Sequence, residues 1–298
     1  METKTRVLVD NLRFPEEPRW HAGKLWFSDL FTQRVMTVDP EGRLETVVEL
    51  PDTPSGLGFT PEGHLLIVSA AERRLLRMEE DALIEVADVS SLVDYPCNEI
   101  VVDEQGRAYI GNLGYNMGDP GAAPKQAPIL LITPEDVPMD GPLGGSFGNA
   151  RIVATGLAFP NGMAITPEGG TLIVAESHGA RLTAFTILPD GSLSQRRVWA
   201  QFGGETAEDL VTPDGICLDA EGALWVASPN TREVLRVLEG AVITDRIPLE
   251  TIPLACMLGG PERKTLFIPS TESLNPYEDE SGGRIETIDV DVPGAGRP

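Results

Sequence analysis

Four polar side chains in this sequence share one position relative to the turn that follows each of them. Each lies at the start of an apolar run, eight residues before a turn glycine, or seven where the turn is one residue shorter. The four residues are Glu16, Asn98, Asn161 and Asp214. Carboxylate and amide oxygens without histidine are typical ligands of a hard divalent cation such as Ca²⁺, Mg²⁺ or Mn²⁺. The spacing therefore predicts one metal site, provided that the fold brings the four positions together.

The elements that must position these residues are short strands, because helical periodicity is scarce and runs of Val, Ile and Leu recur between turns. Six copies of a strand–turn–strand pattern follow one another, and the sixth has Lys264 in place of the turn glycine. Most intervals between copies are 40 to 53 residues, and the longest is 63. This period predicts an all-β fold, a six-bladed β-propeller with four antiparallel strands per blade. The turn glycines are Gly23, Gly63, Gly106, Gly169 and Gly222.

A propeller would bring the four polar positions together. The innermost strands surround the central axis, so equivalent positions at their starts converge on one end of the channel. By the same count, Ser55 and Cys256 occupy the two remaining positions. We expect a single domain over residues 1–298, in which the N-terminal TRVLVDNL pairs with the C-terminal RIETIDVDV and leaves no free edge. The alternative to a metal site is a hydrogen-bonded polar plug in a water-filled tunnel.

Composition narrows the choice of partners. The net charge of −23 disfavours nucleic acid and anionic membranes, both of which need clustered Lys and Arg. Three cysteines without close pairs argue against a disulfide framework. No apolar run reaches the length of a membrane span, and no signal peptide is evident. We therefore expect a cytoplasmic monomer or small homo-oligomer that acts on a small molecule.

The sequence resembles the gluconolactonase/regucalcin (SMP-30) family of six-bladed propeller lactonases through motifs that cover nearly the whole chain. They are EEPRW (16–20), NEIVVDEQGRAYIGN (98–112), FPNGMAITPEGGTLIVAES (159–177), TPDGICLDAEGALWVAS (212–228) and ACMLGGPERKTLF (255–267). The resemblance implies one divalent metal held by Glu16, Asn161 and Asp214. It makes Asn98 a fourth ligand, or a contact to substrate and to water on the metal. Ca²⁺ is the expected ion, with Mg²⁺, Mn²⁺, Zn²⁺ or iron as alternatives.

The motifs depart from the family pattern in two places. Sugar-lactone members often carry Arg two residues before the Asn that matches Asn98, where this chain has Pro96, and the next acid is Glu99 rather than Asp. The resemblance therefore implies the metal site and leaves the lactone open. Strand alternation would place Glu17 on the face opposite Glu16, as a solvated or structural acid.

The implied activity is hydrolysis of a lactone or other small cyclic ester to the hydroxy acid. A metal in this setting polarises the carbonyl and lowers the pKa of bound water, and Asp214 would serve as ligand and base together, with Asn98 beside it. With three histidines in the whole sequence, a His-dependent nucleophilic triad has few options. Two alternatives stay open: a non-catalytic propeller that binds a cation or small ligand, and a metal-free enzyme like the strictosidine synthases.

Strand direction predicts which residues border the substrate. Inner strands run away from the metal and second strands return towards it, so the loops after the second strands should form the rim. We expect residues 113–128 to fold over the entrance as a lid. The candidate substrate contacts from these loops and from the strand starts are Asn112, Glu99, Tyr115, His178, Phe31 and Met257.

Overall fold

The strands of this protein form six antiparallel sheets that follow one another in chain order. The computed structural model describes residues 4–80, 82–115, 123, 125–134, 149–275 and 282–295. Inner strands of successive sheets contact one another, and the last sheet contacts the first, so the sheets are the blades of a closed six-bladed β-propeller. In the described ranges the helices are two short 3₁₀ turns, Leu30–Thr32 and Ser177–Gly179, and neither has the length or the apolar character of a membrane span.

Each of the first five blades is a meander of four strands. After β1 (Arg6–Leu12), blade 1 contains β2 (Pro15–His21), β3 (Lys24–Asp29), β4 (Arg34–Val38) and β5 (Leu44–Glu49). Blade 2 contains β6 (Pro54–Phe59), β7 (Leu65–Ser69), β8 (Arg74–Glu79) and β9 (Ala82–Asp88). Blade 3 contains β10 (Cys97–Val102), β11 (Ala108–Asn112), β12 (Ala127–Thr133) and β13 (Asn149–Leu157).

The remaining blades continue this order. Blade 4 contains β14 (Pro160–Ile165), β15 (Thr171–Glu176), β16 (Arg181–Ile187) and β17 (Leu193–Gln201). Blade 5 contains β18 (Ile216–Leu218), β19 (Leu224–Ser228), β20 (Glu233–Leu238) and β21 (Val242–Pro248). Blade 6 contains β22 (Ile252–Pro253), β23 (Met257–Gly259), β24 (Thr265–Thr271) and β25 (Gly283–Asp289).

The two ends of the chain close the ring, as the sequence predicts. Strand β1 pairs antiparallel with β25 and is the outer strand of blade 6. Apolar side chains of the strands pack between neighbouring blades; Val35 of blade 1, for example, belongs to one cluster with Leu57 and Ile67 of blade 2. Burying each such side chain contributes about 1.5–3 kcal/mol. This packing between blades holds the starts of the inner strands in fixed relative positions.

Three glycines allow the inner strands to approach closely at the polar end of the channel. Gly56, Gly162 and Gly215 each follow one of the residues that the repeat aligns. A Cβ on Gly162 would lie 2.5 Å from the Asp214 carbonyl oxygen, and a Cβ on Gly56 would lie 2.6 Å from that of Asn98. Both distances are too short for any side chain, so the backbones at the aligned positions of neighbouring blades pack directly against each other.

The sixth copy of the repeat is aligned one residue differently from the prediction. In four copies the turn glycine donates its N–H to the carbonyl three residues earlier, and in the sixth copy Arg263 makes this bond to Gly260 at 3.0 Å. Arg263 also has a left-handed φ of 54°. Counting back from Arg263 rather than Lys264 places Ala255, not Cys256, at the sixth position. This position therefore offers no ligand.

Candidate metal centre and substrate entrance

We call the residues that the repeat aligns at the starts of the inner strands the ring residues. Four of them are joined in the structure by a chain of hydrogen bonds. The Ser55 hydroxyl donates to Asn98 Oδ1 at 3.0 Å, and Asn98 Nδ2 donates to Asn161 Oδ1 at 3.3 Å. Asn161 Nδ2 in turn donates to Asp214 Oδ1 and, at 3.3 Å, to the hydroxyl of Ser177. One polar residue from each of blades 2 to 5 thus takes part in a continuous arc around the channel.

Backbone irregularities aim these side chains inward. In blades 1 to 4 the pairing of the first and second strands shifts register close to the ring residue, between Glu16 and Arg19 and between Pro160 and Met163, for example. A β-bulge of this kind re-aims a side chain that regular alternation would place elsewhere. Asp214 lies just before β18 and donates its N–H to the Ala227 carbonyl at 2.9 Å.

The two carboxyl groups of the ring lie close enough to oppose each other's ionisation. Burial, and after it the charge of Asp214, raises the pKa of Glu16 well above its usual range. Burial, and after it the charge of Glu99, raises the pKa of Asp214 to about 8. Both shifts favour protonation because no nearby charge compensates the two acids fully. A cation among them would remove that cost.

The chemistry of the donor set fits a divalent cation, on the condition that amide oxygens take part. Within the described ranges, no three acidic, histidine or cysteine side chains are grouped so that they could hold an ion by themselves. Glu16 and Asp214 supply carboxylate oxygens, and Asn98 and Asn161 can supply amide oxygens. All four side chains are at least partly buried. An all-oxygen set of this kind suits Ca²⁺ or Mg²⁺ better than a soft metal.

A buried ion-pair cluster inside the ring of strands is the part of the centre that sequence reasoning missed. Arg19 reaches from blade 1 to blade 3, where its guanidinium donates to the Glu99 carboxylate and, at 2.6 Å, to the Ile100 carbonyl. Glu17 lies 3.8 Å from the same guanidinium, and the exposed fractions of Glu17, Glu99 and Arg19 are 3%, 4% and 5%. We call these three residues the Arg19 cluster.

Of the two roles expected for Glu17, a solvated or a structural acid, its burial beside Arg19 supports the structural one. Glu17 has a left-handed φ of 56° beside the bulge, so the alternation of an extended strand does not apply to it. Burial and the neighbouring Glu99 raise the pKa of Glu17 well above its usual range. Its Oε2 atom is buried without a hydrogen-bond partner. The contiguous acids of the EEPRW motif were the sequence signal for this cluster.

The predicted substrate contacts fall into two groups. Glu99 is buried against Arg19, and Asn112 is buried with its amide donating to the carbonyls of Tyr95 and Pro96. Met257 is 6% exposed and lines a cavity of about 280 Å³ beyond Arg19, towards the other end of the channel. The structure thus does not bring these three to the rim, and their role in substrate binding stays a prediction.

The other predicted contacts lie at the rim. Tyr115, Phe159 and His178 form an aromatic group beside Asn161, and Phe31 packs on Phe14 with ring centroids 4.8 Å apart. Partial burial lowers the pKa of His178. Of the predicted lid over residues 113–128, positions 116–122 and 124 lie outside the described residues.

The cysteines do not supply a nucleophile in this structure. All three are buried and unpaired. Burial raises the pKa of Cys97 to about 12 and that of Cys256 well above its usual range. A thiol needs a lowered pKa to act as a thiolate at neutral pH. The chemistry of the centre therefore belongs to its oxygen donors.

Comparison with known proteins points to one family. Residues 14–272 match the profile described as "SMP-30/Gluconolactonase/LRE-like region". Regucalcin from Xenopus laevis is 23% identical over 302 residues, covering 97% of this chain and 95% of that protein.

Solved structures agree on the fold. A gluconolactonase from Xanthomonas campestris superposes with a TM-score of 0.72 at 20% identity, covering 98% of this chain and 90% of that one. A regucalcin from Agrobacterium tumefaciens, described as a calcium-binding protein, gives a TM-score of 0.76 at 17% identity, with 99% and 97% covered.

Proposed function

The chain belongs to the SMP-30/gluconolactonase/LRE-like family, and from this premise we propose that it is a divalent-metal-dependent lactonase. It would open a lactone or another small cyclic ester to the hydroxy acid. The family supports a lactonase-type or calcium-binding function. The observation that carries the proposal is the convergence of two carboxylates and two amides, one from each of four blades, at one end of the channel. A cytoplasmic location and a monomeric or small homo-oligomeric state stay predictions.

Four residues would hold the ion and orient the substrate. Glu16, Asn161 and Asp214 are the proposed ligands, and Asn98 is a fourth ligand or a contact to the substrate. When bound, a divalent cation supplies Lewis acidity towards a carbonyl oxygen and towards water. Ca²⁺ is the proposed ion because the donors are oxygens from flexible side chains.

Asp214 is the proposed base. As the water oxygen attacks the carbonyl carbon of the lactone, the Asp214 carboxylate takes a proton from that water. The ring C–O bond then breaks, and the proton passes to the departing alkoxide oxygen, which leaves one hydroxyl and one carboxyl group. A divalent ion bound to the Asp214 carboxylate would favour its ionised form, which is the form that accepts a proton. The hydrogen bond from Asn161 fixes its orientation.

The test is the hydrolysis of a panel of lactones before chelation, after chelation and after Ca²⁺ is restored. We expect chelation to abolish turnover and Ca²⁺ to restore it. Asp214→Asn should reduce kcat/KM at least ~100-fold, the lower end of what a general base contributes. Asp245→Asn, which removes an exposed carboxylate, is the matched control. Turnover that survives chelation would refute the metal-dependent reaction.

A non-catalytic calcium-binding protein is the second candidate. It is favoured by the regucalcins among the relatives, one of which is described as calcium-binding. The same ligands would serve binding or catalysis, so geometry alone does not separate the two. Ca²⁺ binding that depends on Asp214, without turnover of any lactone in the panel, would favour this second candidate.

A further inference from the structure

Three aromatic side chains lie at the mouth of the channel beside Asn161, and the proposed hydrolysis does not use them. The rings of Phe159 and His178 are 4.8 Å apart at an angle of 19°, and Tyr115 lies 5.8 Å from Phe159 and 5.7 Å from His178. Phe159 and Tyr115 are half-buried, and His178 is exposed. We call these three residues the entrance cluster. Aromatic surface left accessible beside a polar centre is suited to ligand contact.

The backbone of Phe159 is held in a conformation that phenylalanine rarely adopts. Its φ is 60°, in the left-handed region, where a bulky residue is a genuine outlier. The neighbouring loop binds the Phe159 backbone, since the Ser177 N–H donates to the Phe159 carbonyl at 3.1 Å. Outliers that persist in this way cluster at ligand sites. Ser177 also accepts from Asn161, so one loop positions both the aromatic ring and a proposed metal ligand.

The residue two places before the ring residue, which is Phe159 in blade 4, is uncharged in each of the first four blades. In each of these blades, the carbonyl at this position accepts a hydrogen bond. The donor is the N–H of the residue that directly follows the second strand of the blade. Phe14 and Phe159 occupy this position in blades 1 and 4, which lie on opposite sides of the six-bladed propeller. The four residues at this position are Phe14, Thr53, Pro96 and Phe159.

The distance from Asn161 to the entrance cluster is short enough for a substituent on a small lactone to span. Two residues of extended chain span at most about 7 Å, so the Phe159 backbone lies within that distance of Asn161. Among the described residues near Tyr115, the Lys125 ammonium group is engaged, since it donates to the Tyr95 hydroxyl at 2.6 Å. A group attached to a carbonyl compound bound beside Asn161 therefore lies within reach of the aromatic rings of the entrance cluster.

We propose that the entrance cluster selects lactones or esters that carry an apolar substituent, flat or alkyl, over those that carry several hydroxyl groups. The inference rests on the proposed lactonase function and adds the class of substrate. The substituent packs on the Phe159 ring while the carbonyl faces the ring of oxygen donors. Tyr115 and His178 support Phe159 from its sides.

The experiment compares kcat/KM for three lactones of one ring size: phenyl-substituted, unsubstituted and polyhydroxylated. We expect the wild-type chain to prefer the phenyl-substituted lactone to the polyhydroxylated one at least tenfold. Phe159→Asn removes the ring and suits the left-handed backbone. It should lower kcat/KM at least tenfold for the phenyl-substituted lactone and less than twofold for the unsubstituted one. Leu188→Ala, an exposed apolar residue at the other end of blade 4, should change neither value.

The possible outcomes distinguish a failure of the proposed substrate selection from a failure of the proposed lactonase function. If all three lactones are hydrolysed and Phe159→Asn affects them equally, or if the polyhydroxylated lactone is preferred, the selection is refuted and the lactonase stands. If the wild-type chain hydrolyses none of them in the presence of Ca²⁺, both are refuted. Tyr115→Ala provides a second test, since it should weaken the same preference without altering the backbone at Phe159.

Discussion

At the scale of single residues, the centre is defined by acids that are costly to ionise together. Burial and mutual repulsion raise the pKa values of Glu16, Glu17 and Asp214, while Arg19 compensates chiefly Glu99. A divalent ion would offset the repulsion between Glu16 and Asp214. The same repulsion that raises the pKa values of these acids therefore supplies affinity for a cation.

The raised pKa of Asp214 predicts how stability depends on pH. An unfolded Asp has a pKa of about 3.9, and the folded value is about 8. Between these values the folded chain binds more protons, so the free energy of unfolding of the chelator-treated protein should fall as pH rises from about 4 to about 8. Urea denaturation at pH 5 and pH 8 measures this. Asp214→Asn should reduce the dependence and Asp245→Asn should not; an unchanged slope in Asp214→Asn would contradict the assignment.

We expect Arg19 to contribute far more to the free energy of unfolding than an exposed arginine does. Arg19→Met leaves two buried carboxyl groups without their cation, which typically costs 3–5 kcal/mol of unfolding free energy, about the range we expect here. Adding Glu99→Gln should recover part of the loss. The control is Arg34→Met, which breaks an exposed ion pair with Glu49 at 2.9 Å and should cost about 0–1 kcal/mol. Equal losses for Arg19→Met and Arg34→Met in urea denaturation would contradict the account.

At the scale of elements, the inner strands place the donors through bulges and glycine contacts rather than through regular pairing. The repeat spacing predicted where Glu16, Asn98, Asn161 and Asp214 lie, because each blade uses the same distance from turn to strand start. The spacing did not predict the orientation of Glu17, because strand alternation assumes an extended backbone and Glu17 is left-handed.

Gly162 offers a test of this placement. A Cβ at this position would lie 2.5 Å from the Asp214 carbonyl oxygen and 2.6 Å from the Ile216 nitrogen, so Gly162→Ala must push blades 4 and 5 apart. We expect calcium affinity, measured by calorimetry, to fall at least tenfold. Gly203→Ala meets no atom within 4 Å and should leave the affinity unchanged. Unchanged affinity in Gly162→Ala would show that the close approach does not position Asp214.

At the scale of the whole molecule, ring closure is what makes equivalent positions converge. The number of blades and the pairing of the chain ends could be predicted, because both follow from a repeated local pattern. The Arg19 cluster could not, because Arg19 and Glu99 lie 80 residues apart in different blades and no repeat relates them. The misaligned sixth copy has a similar cause, since its turn lacks a glycine to mark the register.

Closure also predicts the effect of removing β1. Deleting residues 1–12 exposes the edge of β25, so thermal stability should fall and self-association, followed by sedimentation, should rise. Deleting residues 1–4 removes only sequence that precedes β1 and serves as the control. A chain without β1 that melts at the wild-type temperature and self-associates no more than the full chain would show that β1 does not stabilise the propeller.

The central claim is that the four ring residues bind a divalent ion, and a crystal structure with Ca²⁺ tests it most directly. The account predicts an anomalous peak on the channel axis, with oxygens of Glu16, Asn161 and Asp214 at about 2.3–2.6 Å. The same crystals of Asp214→Asn should lack the peak. A Ca²⁺ ion held elsewhere, or a ring that stays closed on its own hydrogen bonds at saturating Ca²⁺, would contradict the claim.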